Sequence, residues 1–280
     1  MRIGRREFLA GTLLSSTASA AVVEGIDIVD VHAHFASAPE GAIWPLTLPN
    51  VLEDYDRCGI RKGVFSHFDA IAATSGAELR RATAESVEAV RARAGRLRVY
   101  LVFHPLFAQE SLAAMQDTTR PGSPFAGFKL HTEIHHHDPD SPAYQPLYGF
   151  AHENAMPVLM HVGPNAQQWV PAVQQIARNH PKMPLIIAHY GGGEEQALTV
   201  LGAKLSNLFI DTAVSYGAHR LIERLVPKVG AERILFGTDA GYLSPGAQLA
   251  RIAFADISEA DRRAIFSGNT KRIFGRRLPQ

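Results

Sequence analysis

The chain has 280 residues, 46% of them hydrophobic and 20% charged, a balance that sets aside a disordered or membrane-embedded protein. A formal net charge of +1 gives no footprint for nucleic acid or an acidic surface as partner. The single cysteine, Cys58, leaves no intramolecular disulfide, and thirteen histidines are many for this length.

The first element in chain order is not part of the fold. Residues 1–20, MRIGRREFLAGTLLSSTASA, carry basic residues, a short mildly apolar run and a small-residue end, the pattern of a secretory signal. The Arg5-Arg6 pair before EFLAG resembles a twin-arginine signal, which implies the twin-arginine export machinery as partner and a periplasmic or secreted mature chain, residues 21–280. An amphipathic first helix is the competing reading. No later run reaches the roughly 18 apolar residues of a membrane helix, so no membrane anchor is expected after cleavage. Cys58, in YDRCGI, reads as a small buried apolar residue.

Eight apolar runs of strand length follow: IDIVDV (26–31), KGVFSHF (62–68), LRVYLVF (97–103), FAGFKL (125–130), PVLMHV (157–162), PLIIAH (184–189), NLFIDT (207–212) and RILFGT (233–238). Most are continuous rather than alternating, which suits strands buried on both faces of a parallel sheet. Helical stretches lie between them, among them 76–95, 143–155, 166–180 and 218–230, with Gly95 and Gly230 where helices commonly end. Eight strand–helix units in one α/β domain predict a (β/α)8 TIM barrel, regular or distorted. A doubly wound sheet is the second choice, but no G-x-G-x-x-G follows the first strand.

In such a barrel chemistry gathers at the C-terminal ends of the strands. His32 and His34, two apart, point the same way from a strand. Strand four ends in Lys129 and His131, strand five in His161, strand six in His189 and strand eight in Asp239, while His67 and His104 stand at similar places on strands two and three. His32, His34, His161 and Asp239 offer three imidazoles and a carboxylate, a set suited to zinc or a related divalent metal such as Mn2+. The triple His135–His137 reads as a solvated loop.

The ordered segments DVHAHF, GFKLH, PLYGFAHENAMPVLMHVG, IIAHYGGG, NLFIDTA, ILFGTDA and GNTKRIFG resemble the amidohydrolase superfamily. The likeness is to its amidohydrolase-related (amidohydrolase 2) branch, which includes aminocarboxymuconate-semialdehyde decarboxylase-like enzymes. By that resemblance His32, His34, His161 and Asp239 match the metal-binding positions, and His189 matches a histidine that polarises substrate or moves protons. Lys129 is implied to hold an anionic substrate group beside His131, rather than to be carbamylated between two metals. Thr132 departs from the proline that often follows KLH in relatives.

The reading these features favour is a hydrolase of a small carboxylated or cyclic amide or lactone. Metal-activated water would attack, Asp239 would take its proton and His189 would stabilise the oxyanion. The alternative is metal-dependent non-oxidative decarboxylation of an aromatic or unsaturated acid, which uses the same ligands. A non-catalytic periplasmic metal-binding protein is the third. Loop aromatics such as Trp44, Phe107, Tyr144, Trp169, Tyr216 and Tyr242 mildly favour a planar substrate, and the family resemblance implies a homodimer.

Overall fold

A computed structural model describes residues 23–37, 46–163 and 165–279, so the signal-like segment and Trp44 lie outside the described residues. Eight strands pair in chain order, every pair parallel: β1 Val29–Phe35, β2 Lys62–His67, β3 Leu97–Val102, β4 Phe125–His131, β5 Val158–His161, β6 Leu185–Ile187, β7 Leu208–Asp211 and β8 Ile234–Leu235. The sheet closes on itself where Val31 N–H donates to Phe236 O at 3.0 Å and His34 N–H to Ala240 O at 2.9 Å. The fold is the (β/α)8 barrel that the strand count predicts.

Each strand is followed by a helix on the outside: α1 Leu48–Cys58, α2 Gly76–Ala92, α3 Ala108–Met115, α4 Gln145–Glu153, α5 Ala166–Asn179, α6 Glu194–Gly202, α7 Leu221–Val229 and α8 Pro245–Ala253. In α1 the buried residues Leu48, Val51, Leu52 and Tyr55 fall on one stripe at helical spacing, and Gly59 ends the helix in the left-handed region (φ 72°). Ser75 caps α2 by accepting from Glu78 N–H at 3.2 Å. Gly230 follows α7 at φ 85°, as its sequence position suggests, whereas α2 stops at Ala92, before Gly95. Cys58 is half-buried at the end of α1, less enclosed than its sequence suggests. Among the described residues no helix is long and apolar enough to cross a membrane.

The barrel interior is a cluster to which every strand contributes, including Val29, Val64, Tyr100, Leu159 and Phe209, and the C-terminal residues Phe274 and Leu278 join it. A larger apolar shell lies between sheet and helices. Two strands differ from the sequence reading. β1 begins at Val29 and runs through both histidines, with a register shift between Asp30 and Ala33. β8 keeps only two regular residues, because Gly237 N–H donates to Thr212 Oγ1 at 3.0 Å and Thr238 N–H to Asp30 Oδ1 at 3.1 Å, side chains taking the place of a ladder.

The approach of β4 to β5 is set by Gly127. A Cβ at this position would lie 2.3 Å from Pro157 O, a backbone atom that cannot swing aside. Gly127→Ala is expected to lower stability by about 1–3 kcal/mol, read as an earlier midpoint in urea unfolding.

Candidate metal centre and active site

The C-terminal ends of the strands bring the histidines of β1 to a focus. His32 and His34 present their Nε2 atoms 3.2 Å apart, and Asp239, just past β8, places Oδ1 3.2 Å from His34 Nε2 and 3.7 Å from His32 Nε2. The donor atoms of these three residues lie within 4.8 Å of one another. Lys129, fully buried in β4, points its Nζ to 3.1 Å from His32 Nε2.

Two carboxylates that sequence reasoning did not single out hold this focus in place. Asp211, the last residue of β7, accepts from His32 Nδ1 at 2.7 Å, from His189 N–H at 2.8 Å and from Ala213 N–H at 3.1 Å. With its Nδ1 proton given to Asp211, His32 turns a bare Nε2 lone pair toward the cluster. Asp30 accepts from His32 N–H at 2.8 Å, Tyr55 Oη–H at 2.6 Å, Thr238 N–H and the Thr238 hydroxyl. Burial pushes Asp30 up to about 7 and Asp211 up to about 6, against the pull of these hydrogen bonds and, at Asp211, of neighbouring His189. The only sequence signal for either was a carboxylate inside an apolar strand-length run.

Strain marks the same place. His189 and Asp239 both adopt left-handed backbone, φ 58° and 56°. Such conformations cost about 1–3 kcal/mol each in a non-glycine residue. They are held by the His189 N–H bond to Asp211 and by Asp239 N–H donating to His32 O at 2.6 Å. His189 Nδ1 donates to Ala213 O, so its Nε2 carries a lone pair and receives the proton of His161 Nδ1 at 2.9 Å. His161 therefore stands beside the His32–His34–Asp239 group rather than inside it. Its ring stacks on His131 at 3.9 Å between centroids, and its Nε2 lies 3.4 Å from Glu133. His131 accepts from Ile134 N–H at 3.2 Å, which commits one of its nitrogens to capping the short helical turn after β4.

The electrostatics agree with a cation-binding donor set. Burial, aided by Lys129, lowers His32 far below the usual histidine range, and burial lowers His34 and His161 as well, leaving neutral imidazoles. Burial opposes ionisation of Asp239, but the His34 hydrogen bond and the facing imidazoles outweigh it and hold the carboxylate well below its usual range. His32 Nε2, His34 Nε2 and Asp239 Oδ1 thus converge with at most one proton among them. Two nitrogens on one tetrahedral ion at about 2.05 Å stand about 3.3 Å apart, which the 3.2 Å separation of the two Nε2 atoms fits. Lys129 is lowered to about 8 by burial, an effect that Asp239 and Asp211 partly offset.

An aromatic face adjoins the cluster. Tyr242, 43% exposed, lies 5.6 Å from the His34 ring and 5.1 Å from Phe68. Of the other loop aromatics, Tyr144 and Trp169 are buried packing residues and Phe107 lies against His104 at 4.7 Å. The solvated loop expected at 135–137 is corrected at one position. His135 is fully buried, hydrogen-bonded to Tyr144 Oη at 3.1 Å and 4.2 Å from the His104 ring, because the chain turns inward there in a short helix. A further ligand-type group, His67, Asp69 and Glu85, sits at the end of β2, where Arg81 and Ser37 already meet both carboxylates.

A closed (β/α)8 barrel with histidines and carboxylates converging at its strand ends defines an enzyme class in which a divalent metal serves catalysis. Comparison with known proteins sharpens this: the model of the family described as Amidohydrolase matches residues 29–276, and the chain belongs to that family. No curated protein sequence matches it. Among solved structures, 2,6-dihydroxybenzoate decarboxylase from Rhizobium is similar, with TM-score 0.70, 20% identity, and 89% of this chain and 98% of that one covered. A dihydroxybenzoic acid decarboxylase from Polaromonas sp. JS666, with bound manganese and 2-nitroresorcinol, gives TM-score 0.70 at 17% identity over 89% of this chain and 97% of that one. The 5-carboxyvanillate decarboxylase of Sphingomonas paucimobilis gives 0.69 at 13% identity, covering 89% and 99%.

Removing the Asp30 carboxylate leaves Tyr55, Thr238 and the His32 amide without their acceptor in a dry place. Asp30→Ala is expected to cost about 3 kcal/mol or more, measured by urea unfolding, whereas Tyr55→Phe, which removes one donor and leaves the carboxylate three, should cost about 1 kcal/mol. Equal, small effects of the two changes would contradict this assignment.

Proposed function

We propose that this chain is a metal-dependent, non-oxidative decarboxylase of an aromatic or otherwise conjugated carboxylic acid. The observation that carries the reading is the meeting, at one barrel end, of a neutral-imidazole and carboxylate donor group, a buried lysine and an aromatic face. The similarity in fold to decarboxylases of hydroxylated benzoic acids supports it over hydrolysis. His32, His34 and Asp239, with His161 adjacent, would hold the metal, zinc or manganese. A divalent metal bound there supplies a Lewis acid for the oxygens of the substrate.

The chain's own groups do the rest. Lys129 pairs with the anionic substrate, and Phe68 and Tyr242 pack against the planar ring. Asp239, held ionised, orients the centre and has no proton to give. His189 is fixed through Nδ1 by Ala213 O, so its Nε2, which accepts from His161 in the resting site, is the atom that takes up the proton the substrate acid loses and delivers it to the ring carbon. That proton replaces the carboxyl group on carbon as the C–C bond breaks and carbon dioxide leaves. Export through the signal-like residues 1–20 would place the reaction in the periplasm or outside the cell.

Manganese-loaded protein incubated with dihydroxybenzoates and related aromatic acids is expected to release carbon dioxide and the decarboxylated ring. Turnover of lactones or amides with no carbon dioxide from any acid would return the reading to hydrolysis. Asp239→Asn should keep the fold, seen by circular dichroism, and lose about 100-fold or more in turnover. Asp211→Asn should weaken metal affinity by about 10–100-fold in a competition titration, because the His32 tautomer is no longer fixed.

A further inference from the structure

The opposite end of the barrel carries a second concentration of charge. A cavity of about 510 Å3 opens at the N-terminal ends of the strands, and Arg98, Arg120, Arg276 and Arg277 line it together with Thr119 and Ser123. Arg98 is the second residue of β3, Arg120 lies in the turn before β4, and the last two belong to the C-terminal turn after Phe274. No acidic side chain lines this cavity. Arg120 pairs with Asp117 at 2.8 Å, while among the described residues no carboxylate pairs with Arg98, Arg276 or Arg277.

The other contacts leave donors to spare. Arg98 gives Nη1 to the carbonyls of Ala94 and Leu97 at 2.6 and 2.8 Å, and Arg277 gives Nη2 to Asn154 O at 2.9 Å. A guanidinium has five N–H donors, so each keeps several. Ser123 Oγ accepts from Phe125 N–H at 3.2 Å, which leaves its own proton free. Guanidinium groups do not discharge near neutral pH, so Arg98, Arg276 and Arg277, which no described carboxylate neutralises, favour an anion among them. Burial lowers both Arg277 and Arg98, and neighbouring Arg276 adds to the effect on Arg277, so the charge of these two groups is incompletely solvated where they line the cavity.

We propose that this basal cavity binds a multiply charged phosphate-type oxyanion, at a site separate from the metal centre. Planar guanidinium forks match the edges of a tetrahedral oxyanion, and a volume of about 510 Å3 exceeds that of a diphosphate group. The shared chemistry fits a free phosphate compound or the headgroup of an anionic lipid, and the experiment separates them.

Calorimetric titration of the full chain with inorganic pyrophosphate, at ionic strength held constant with chloride, should show binding that falls at least tenfold in Arg276→Gln. Arg276 is exposed and makes no hydrogen bond or ion pair among the described residues, so this variant should unfold at the wild-type temperature; Arg276→Gln/Arg277→Gln should bind more weakly still. The metal-loaded variants should turn over substrate as the wild type does. Arginine-dependent sedimentation with phosphatidic acid vesicles, absent with phosphatidylcholine alone, would assign the source to a lipid headgroup. Binding of pyrophosphate without vesicle binding would assign it to a soluble compound. Wild-type affinity in both variants, or no heat beyond the chloride control, would overturn the site.

Discussion

One buried carboxylate, Asp30, clasps the seam at which the barrel closes and the candidate site lies. The two regular residues of β8 pair with β7, and the seam to β1 is made by backbone bonds in the irregular stretch that follows, from Val31 N–H to Phe236 O, from Thr238 and Asp239 N–H to His32 O, and from His34 N–H to Ala240 O. Asp30 adds a side-chain clasp to these bonds by accepting from Thr238 on one side of the seam and from His32 and Tyr55 on the other. Burying a carboxylate costs several kcal/mol unless donors compensate, and four donors converge on this one. Since His32 and Asp239 lie on opposite sides of the seam, their separation of 3.7 Å is a property of the closure itself.

Asp211 extends the same logic across the adjoining strands. One of its oxygens fixes the tautomer of His32 on β1, and the other holds the backbone of His189 in a left-handed turn after β6. A single side chain thereby sets the direction of a lone pair on one histidine and the position of another. Three consecutive left-handed residues, His189, Tyr190 and Gly191, would not persist on an isolated strand end. They persist where the surrounding hydrogen bonds over-determine them, and so His189 Nε2 faces His161 rather than solvent.

The apolar runs revealed the eight strands because a parallel sheet buried on both faces leaves little room for polar residues. The register shift of β1 falls between Asp30 and Ala33 and so includes His32, yet the Nε2 atoms of His32 and His34 still meet at 3.2 Å, as their i, i+2 spacing suggests. Asp30 and Asp211 were not legible in function, because a carboxylate in a strand has no partner until the barrel closes. Tyr55 is 25 residues from Asp30 in sequence, and Asp211 is 179 from His32. The place of His161 was hidden for a similar reason. Its strand end was correctly read, but the direction of its ring depends on the stack with His131 and on the tautomer of His189, neither of which leaves a mark on local sequence. His135 looked solvated as part of a polar triplet, and only the turn back under Tyr144 makes it a core residue.

Lys129 presents the sharpest physical tension in the site, an ammonium 3.1 Å from a nitrogen that would serve a dication. Burial eases the conflict without removing it, since a group lowered to about 8 is still mainly an ammonium at neutral pH. A lysine ordinarily titrating at 10.5 but here at about 8 gives up its proton about 3 kcal/mol more readily. As an ammonium it answers the nearby carboxylates and can hold an anionic substrate; as an amine it no longer repels a cation. The residue that looks incompatible with a metal is thus one whose charge the burial has made conditional. The same dry environment keeps His32, His34 and His161 neutral, each with a single ring proton, so one cause, desolvation at the C-terminal end of the strands, prepares both the donors and the lysine beside them.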